Sequence, residues 1–270
     1  MKFGIETLLF EYPSIVVKSS SDKEIFDSGY CLLENKSNSH VKAIIPSPWH
    51  GRSVSICKSN KKWIVIKGAG CPYMKYPYTI TPENKNRYWG LITKDECLRE
   101  YYFMNKVNSL GVKTSTFLSI NKLIGDFKTS IQPYNLIYSL ETPLRLIDLD
   151  FLNPEQKKLI KNKLLNKSKY KKLHLHFIDV ISEYLLTLYS NGIIHNSLST
   201  HNITLSLELI DFEASFERET CEEGEFNKLI PREIVQLREI GFSIAYWFEE
   251  KYNINDVEDI IHSKRFDLFC

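Results

Sequence analysis

The first half of the chain is a series of short apolar runs separated by polar turns. Three runs rich in β-branched or aromatic residues occur early, at Ser14–Lys18, Gly29–Glu34 and Val41–Pro46. Runs of this length and composition are typical of β-strands. The pattern therefore predicts that the first fifty or so residues contribute outer strands of a small sheet.

A β-hairpin is predicted next, because the apolar runs Val54–Cys57 and Trp63–Lys67 flank a Ser-Asn-Lys-Lys turn. Side chains alternate along a strand, so Lys67 shares a face with Val65. Lys67 ends this apolar strand and is followed by Gly68-Ala69-Gly70. A lysine in this position is suited to contact a phosphate, although most lysines at strand ends are simply solvated.

A helix is predicted to begin after Thr93 and to run to Ser109, before Gly111. Thr93 and Glu96 have the spacing of a capping box, in which each side chain accepts a hydrogen bond from the other residue's backbone. Glycine favours helix ends because it adopts the left-handed conformation readily.

Glu100 lies on the apolar face of this helix, three residues after Cys97 and four before Met104. A carboxylate on an inward face needs a partner, because an unpaired buried charge is costly. Lys67 is the expected partner. The alternative is a boundary position in which Glu100 pairs with Arg99 or with solvent.

Two further strands are predicted at Lys113–Ile124 and Ile131–Ser139. Leu140-Glu141-Thr142-Pro143 then interrupts the pattern and is interpreted as a hinge before a helical half. The main helix of that half is predicted at Leu173–Asn191, and Gly192 follows it. Another helix is predicted to start at Pro231, since proline is favoured at the first helical position.

Residues 153–172 are rich in lysine and have the apolar spacing of an amphipathic helix. A run of charges like this one usually forms a solvated face. The alternative is attraction to an acidic partner or to a membrane surface.

The stretch Gly192–Ser215 carries the candidate chemistry of the second half. His195 is followed by a polar loop with Asn202, and Asp211 follows an apolar pair. This order predicts that Asn202 and Asp211 lie on successive short strands and face one cleft. Amide and carboxylate oxygens are ligands that suit Mg²⁺ on a nucleotide phosphate.

Composition places the chain among globular proteins. It has 270 residues, of which 43% are hydrophobic and 25% charged, with a formal net charge of +2. This charge gives no global basic field, so nucleic acid is not an expected partner. No apolar run approaches the roughly 20 residues that span a bilayer, so no membrane span is expected.

Six cysteines are scattered along the chain without a Cys-x-x-Cys pair. A zinc site or a disulfide framework is therefore not expected, and a reducing cytoplasm is the expected location. Cys270 is the last residue, and a free tail thiol is the simpler interpretation of it. The first residues contain Glu6 and Glu11 and do not resemble a usual signal peptide.

The stretch around His195 resembles the catalytic and metal-binding loops of protein-kinase-like enzymes, His-x-Asp-(x)4-Asn followed by Asp-Phe-Gly. His195, Asn202 and Asp211-Phe212 match this pattern. Ser197 stands in place of the catalytic aspartate, and Glu213 in place of the glycine. These differences argue against an ordinary kinase.

The first half contains a series of short motifs. In chain order they are Gly51-Arg52, Lys67-Gly68-Ala69-Gly70 with Pro72-Tyr73, Arg99-Glu100, and Leu110-Gly111-Val112-Lys113-Thr114. This series resembles the selenoprotein O family, a kinase-like fold that transfers AMP to protein hydroxyls. Their combination in one order is more specific than any single motif. The resemblance implies an α+β, two-lobed kinase-like fold, with a β-rich lobe at residues 1–141 and a mostly helical lobe at 142–270.

The resemblance also implies a site that uses ATP with Mg²⁺ or Mn²⁺. The implied catalytic residues are Lys67, Glu100 and His201, the nucleotide-binding residues are Lys67, Arg52, Arg145, Gly68 and Gly70, and the metal ligands are Asn202 and Asp211. His201 stands where the family has an aspartate before the metal-binding asparagine. Histidine can serve as a general base near neutral pH, or its presence indicates that activation of the acceptor has been lost.

Three functions follow as hypotheses. The chain is an ATP-dependent nucleotidyltransferase acting on a protein substrate, a kinase-like phosphotransferase, or an inactive ATP-binding module that engages partners. The position of the label transferred from ATP distinguishes them, because the first transfers the α-phosphate, the second the γ-phosphate and the third neither.

Overall fold

The computed structural model describes residues 4–20, 28–32, 39–57, 62–70, 90–125, 127, 131–222 and 224–266. Pro72, Tyr73 and Cys270, which were singled out in the sequence, lie outside these residues. Within the described part of the chain, no helix has the length and apolar character needed to cross a membrane.

Among the residues that the structure describes, an eight-stranded antiparallel sheet dominates the first half. Its strands are β1 (Ile5–Tyr12), β2 (Ser14–Ser19), β3 (Gly29–Cys31), β4 (His40–Ile45), β5 (Ser53–Cys57), β6 (Trp63–Lys67), β7 (Thr116–Leu123) and β8 (Tyr134–Leu140). The strand order across the sheet is β2-β7-β8-β6-β5-β4-β1-β3. A second, two-stranded sheet pairs β9 (Ile193–Ile194) with β10 (Phe216–Glu217).

The helices are concentrated in the second half. They are α1 (Lys94–Ser109), α2 (Pro154–Leu165), α3 (Leu173–Ser190), α4 (Glu225–Trp247) and α5 (Ile254–Ser263). Short 3-10 turns precede α2 and follow β9. The predicted α+β class is confirmed.

The chain divides into two compact units. The sheet unit comprises Lys2–Asn105 and Ser115–Pro143, and the helical unit comprises Lys106–Thr114 and Leu144–Cys270. The predicted hairpin of β5 and β6 is present in the sheet unit, with Val54 opposite Ile66 in the ladder.

The core of the sheet unit is formed by aliphatic side chains from adjacent strands. Ile64 and Ile66 of β6 are fully buried, as are Leu9 of β1 and Val54 of β5. Strand β1 was not among the predicted strands, because polar residues interrupt its apolar alternation. One of these, Glu11, accepts hydrogen bonds from the hydroxyls of Ser28 and Ser39, which lie 17 and 28 residues further along the chain.

Strand β2 is an edge of the large sheet as the structure describes it. Three of its apolar side chains are exposed: Ile15 at 57%, Val16 at 36% and Val17 at 39%. Its register with β7 shifts between Val16 and Lys18, which is a β-bulge. Bulges increase the local twist of a strand and are common at sheet edges.

Helix α3 is the central buried helix of the helical unit, as predicted, and Gly192 follows it with a φ of 66°. Lys172 precedes the helix without capping it through its side chain. The carboxylate of Glu250 caps it instead, because it accepts hydrogen bonds from the backbone N–H groups of Leu173 (2.9 Å) and His174 (3.2 Å). A distant residue thus satisfies donors that the first turn leaves open.

One predicted helix boundary is wrong. Helix α4 begins at Glu225 instead of Pro231, because Phe226 and Ile230 are buried and stabilise the earlier turns. Pro231 therefore lies inside the helix, where it lacks one backbone donor. Helix α2 ends at Leu165, so the lysine-rich segment continues as a loop to residue 172.

Candidate functional site

The sheet unit contains a buried ion pair between Lys67 and Glu100. Lys67 is the last residue of β6 and Glu100 is in the second turn of α1, and their exposed fractions are 4% and 2%. The predicted capping box positions this helix, since Thr93 N–H donates to Glu96 Oε2 (2.6 Å) and Glu96 N–H donates to Thr93 Oγ1 (3.3 Å). The expected partnership of Lys67 with Glu100 is thus observed.

Gly68 and Gly70, which follow Lys67, both have positive φ angles, 87° and 95°. A Cβ atom at Gly68 would lie 2.4 Å from the carbonyl oxygen of Tyr134, so only glycine fits there. Their N–H groups donate to the carbonyls of Arg52 (2.8 Å) and Gly90 (3.2 Å). These two amides are engaged within the protein, and the glycines shape the backbone after Lys67.

Arg52 is tied to the same region through its side chain. Its Nη1 atom lies 3.8 Å from Glu96 Oε1, and its guanidinium remains partly exposed. Arg52 therefore connects the turn before β5 to the first turn of α1.

In the helical unit, His195 is fully buried directly after β9. Its Nε2 atom lies 3.1 Å from the carbonyl oxygen of Ile210, so Nε2 carries the proton of the neutral ring. Its Nδ1 atom lies 3.1 Å from Ser197 Oγ. Burial lowers the pKa of His195 to about 4, although the Asp211 charge and the Ile210 carbonyl oppose this shift.

Asn202 is held by Ser197, the residue in place of the kinase aspartate. Asn202 Nδ2 donates to the carbonyl oxygen of Ser197 (2.8 Å) and lies 3.3 Å from its Oγ atom. These contacts fix the orientation of the amide. Asn202 Oδ1 is buried and accepts no hydrogen bond from any residue that the structure describes. A buried oxygen without a donor is costly unless another ligand satisfies it.

Asp211 has a left-handed backbone, with φ and ψ both 65°. Its carbonyl oxygen lies 3.1 Å from Ser197 Oγ, so it shares the single proton of that hydroxyl with His195 Nδ1. The peptide N–H of Ile210 donates to the Asn202 carbonyl (3.0 Å), so the two candidate ligands lie on neighbouring backbones. The predicted pair of short strands is reduced to a single bridge, Ile203 with Leu209, because a tight turn joins the two segments.

Glu233 of α4 supports this loop and was missed in the sequence. Its carboxylate is 1% exposed and accepts hydrogen bonds from Asn196 N–H (2.6 Å) and the hydroxyl of Tyr189 (2.9 Å). Burial raises its pKa to about 7, against the effect of these hydrogen bonds. The sequence does indicate that Glu233 is buried, because helical periodicity places it on the apolar face of α4 between Ile230 and Leu237.

His201 is half-buried in the loop before Asn202, near Arg145 and Asp148. Burial and the positive charge of Arg145 lower the pKa of His201, whereas Asp148 raises it. Asp148 Oδ2 accepts the backbone N–H of Arg145 (2.7 Å). The imidazole is therefore neutral at pH 7.

The candidate residues thus form two groups, one within each unit. Arg52, Lys67, Gly68, Gly70 and Glu100 belong to the sheet unit, and Arg145, Ser197, His201, Asn202 and Asp211 to the helical unit. Searches of protein-family models and of curated proteins give no match to the chain. The relationship to selenoprotein O remains a prediction from the sequence motifs.

Proposed function

We propose that the protein is an ATP-dependent nucleotidyltransferase of the selenoprotein O type with a two-lobed kinase-like fold, which transfers AMP to a hydroxyl group of a protein substrate. The main support is the unsatisfied, buried Oδ1 atom of Asn202, whose amide is oriented by Ser197. The buried pair of Lys67 and Glu100 adds support, because a lysine held in this way is suited to phosphate.

Asn202 and Asp211 would hold the Mg²⁺ or Mn²⁺ ion. An amide oxygen and a carboxylate are hard ligands of the kind that magnesium takes from proteins. The ion would neutralise charge on the phosphates of ATP.

Lys67 and Arg145 would contribute the remaining positive charge at the phosphates. Glu100 keeps the Lys67 ammonium in place, so little reorganisation is needed when charge develops during transfer. Arg145 is partly buried.

His201 would take the proton of the acceptor hydroxyl. The acceptor oxygen forms a bond to the α-phosphorus, the bond to pyrophosphate breaks, and the hydroxyl proton passes to the neutral imidazole. Since the pKa of His201 is lowered, the neutral ring that can accept a proton predominates at pH 7.

A kinase-like phosphotransferase is the second candidate. The Ser197 hydroxyl, in place of the kinase aspartate, lies 3.1 Å from the unprotonated Nδ1 atom of His195. This contact offers an alternative route for a proton beside Asn202. The transfer would then involve the γ-phosphate.

The test is incubation of the purified protein and a cell lysate with ATP labelled at either the α- or the γ-phosphate. Transfer of α-label, lost in Asp211→Asn and retained in Asp259→Asn, supports the proposal. Asparagine is the appropriate replacement because it tolerates the left-handed backbone of Asp211. Transfer of γ-label supports the kinase alternative, and transfer of neither favours the inactive module.

A further inference from the structure

Positive charge in this chain is concentrated in one segment of the helical unit. Residues 153–172 contain eight lysines, one glutamate and no arginine, a formal charge of +7. The whole chain carries only +2, so the remaining residues together carry −5. An asymmetry of this kind indicates a local electrostatic role that the net charge conceals.

Three of these eight lysines are neutralised by carboxylates of the helical unit. Lys161 lies 3.3 Å from Glu250, Lys169 lies 2.8 Å from Asp179, and Lys172 lies 3.0 Å from Asp256. These contacts attach the segment to α3 and to the region around α5.

The other five lysines have no acidic partner among the residues that the structure describes. They are Lys157, Lys158, Lys163, Lys167 and Lys171. All but Lys157 are exposed.

An exposed leucine lies among these lysines. Leu159 is 62% exposed, and with 100° between successive residues it lies between Lys158 and Lys163 on the outward face of α2. Phe151, shortly before the helix, is 51% exposed. Both apolar side chains and lysines therefore face the solvent along this segment.

We propose that the outward face of α2 and the following loop form a peripheral docking surface for a bilayer of anionic phospholipids. Clusters of four to eight basic residues on an amphipathic helix are attracted to such surfaces. Lysine stems can extend along the headgroups while Leu159 enters the interface. The exposed Leu159 favours a lipid surface over nucleic acid, because an apolar side chain can enter a bilayer interface but forms no contact with phosphate oxygens.

The test is sedimentation of the full chain with vesicles of phosphatidylcholine, with and without phosphatidylserine. Each lysine near an anionic surface contributes roughly fivefold to binding. The triple variant Lys158→Gln, Lys163→Gln and Lys167→Gln should therefore bind phosphatidylserine vesicles about 100-fold more weakly. High salt should release the native protein, and Leu159→Gln should weaken the binding that survives moderate salt.

The matched control neutralises three exposed lysines elsewhere, Lys42→Gln, Lys228→Gln and Lys251→Gln. It changes the net charge equally and should retain vesicle binding. Equal losses in the two triple variants would show that only net charge matters and would overturn the proposal. Absence of vesicle binding by the native protein would also overturn the proposal. So would a result in which the α2 lysines are needed for binding to an RNA or DNA duplex but not for binding to vesicles. Circular dichroism verifies that all variants are folded.

Discussion

Glu233 and His195 are both buried, and burial shifts their pKa values in opposite directions. The pKa of Glu233 is raised from 4.5 to about 7, so the folded protein retains a proton that the unfolded chain releases. This contribution to stability is lost as the pH rises through that range. The pKa of His195 is lowered from 6.5 to about 4, so its contribution is lost as the pH falls.

Between pH 4.5 and 6.5 the contributions of Glu233 and His195 to the free energy of unfolding nearly cancel. The substitution Glu233→Gln removes the first contribution, so that the pH dependence due to His195 can be measured. Relative to the native protein, the free energy of unfolding of this variant should rise by about 2 kcal/mol more between these two pH values. Urea unfolding at both pH values measures this difference. Glu239→Gln, an exposed change on the same helix, should behave like the native protein; an unchanged pH dependence in Glu233→Gln would contradict the assignment.

The buried pair of Lys67 and Glu100 predicts a strongly non-additive effect on stability. Glu100→Ala leaves the Lys67 ammonium buried without its partner and should cost roughly 3–5 kcal/mol. The double change of Lys67→Met and Glu100→Leu should cost much less, because no charge remains buried. Denaturant unfolding of both variants tests this, with exposed Asp95→Ala as the control; a double variant that costs at least as much stability as Glu100→Ala would refute it.

The position of a side chain could be predicted from the sequence where a local pattern determines it. The contact of Lys67 with Glu100 is an example, because strand alternation and helix periodicity place both side chains on inward faces. The orientation of Asn202 could not be anticipated, since it depends on the folded path of the loop around Ser197. Glu233 carried a periodic signal, but its partners Asn196 and Tyr189 are distant in sequence.

At the level of elements, Glu250 should control the start of α3. Its hydrogen bonds with His174 and the first N–H groups lower its pKa to about 2, although burial opposes this. Glu250→Gln should therefore destabilise the protein by about 1–2 kcal/mol at pH 7 and speed hydrogen exchange at Leu173 and His174.

The destabilisation caused by Glu250→Gln should diminish as the pH falls from 4.5 towards 2, because the Glu250 carboxylate of the native protein is then protonated as well. Hydrogen exchange followed by mass spectrometry and urea unfolding measure the two effects. The exposed change Glu239→Gln provides the comparison. A loss that stays constant with pH would show that the charge of Glu250 is unimportant.

Element boundaries were predictable where short-range capping decides them. The start of α1 follows from Thr93 and Glu96, and the end of α3 from Gly192. The start of α4 was mispredicted because burial of Phe226 and Ile230 outweighs the preference of Pro231 for the first turn. Strand β1 was not predicted because polar residues interrupt its apolar alternation, and the residues that form hydrogen bonds with them are distant in sequence.

At the scale of the whole molecule, Mg²⁺ and ATP should stabilise the folded protein if the proposed function is correct. A ligand at 100 times its Kd adds about 2.7 kcal/mol to the free energy of unfolding. The Tm should rise accordingly in the native protein and in Asn162→Ala. Asn202→Ala should abolish the rise, since it removes the unsatisfied oxygen. If the Tm of Asn202→Ala rises as much as that of the native protein, Asn202 does not belong to the proposed Mg²⁺ and ATP site.

At the scale of the whole molecule, the α+β class implied by the family resemblance is confirmed, and strands and helices lie mainly in different halves of the chain. The ordering of eight strands could not be derived in the same way. Strands β2 and β7 pair across about one hundred residues of sequence, and no local pattern specifies that partnership.

The bulged edge strand β2 has a practical consequence for handling the protein. The exposed valines lie on an edge strand that can pair with strands of other chains. The bulge at Val17 twists this edge and opposes such pairing. Deletion of Val17 would restore a regular ladder and should promote turbidity and fibril formation in concentrated samples. A charged replacement such as Val16→Lys should instead extend the concentration range in which the protein stays monodisperse.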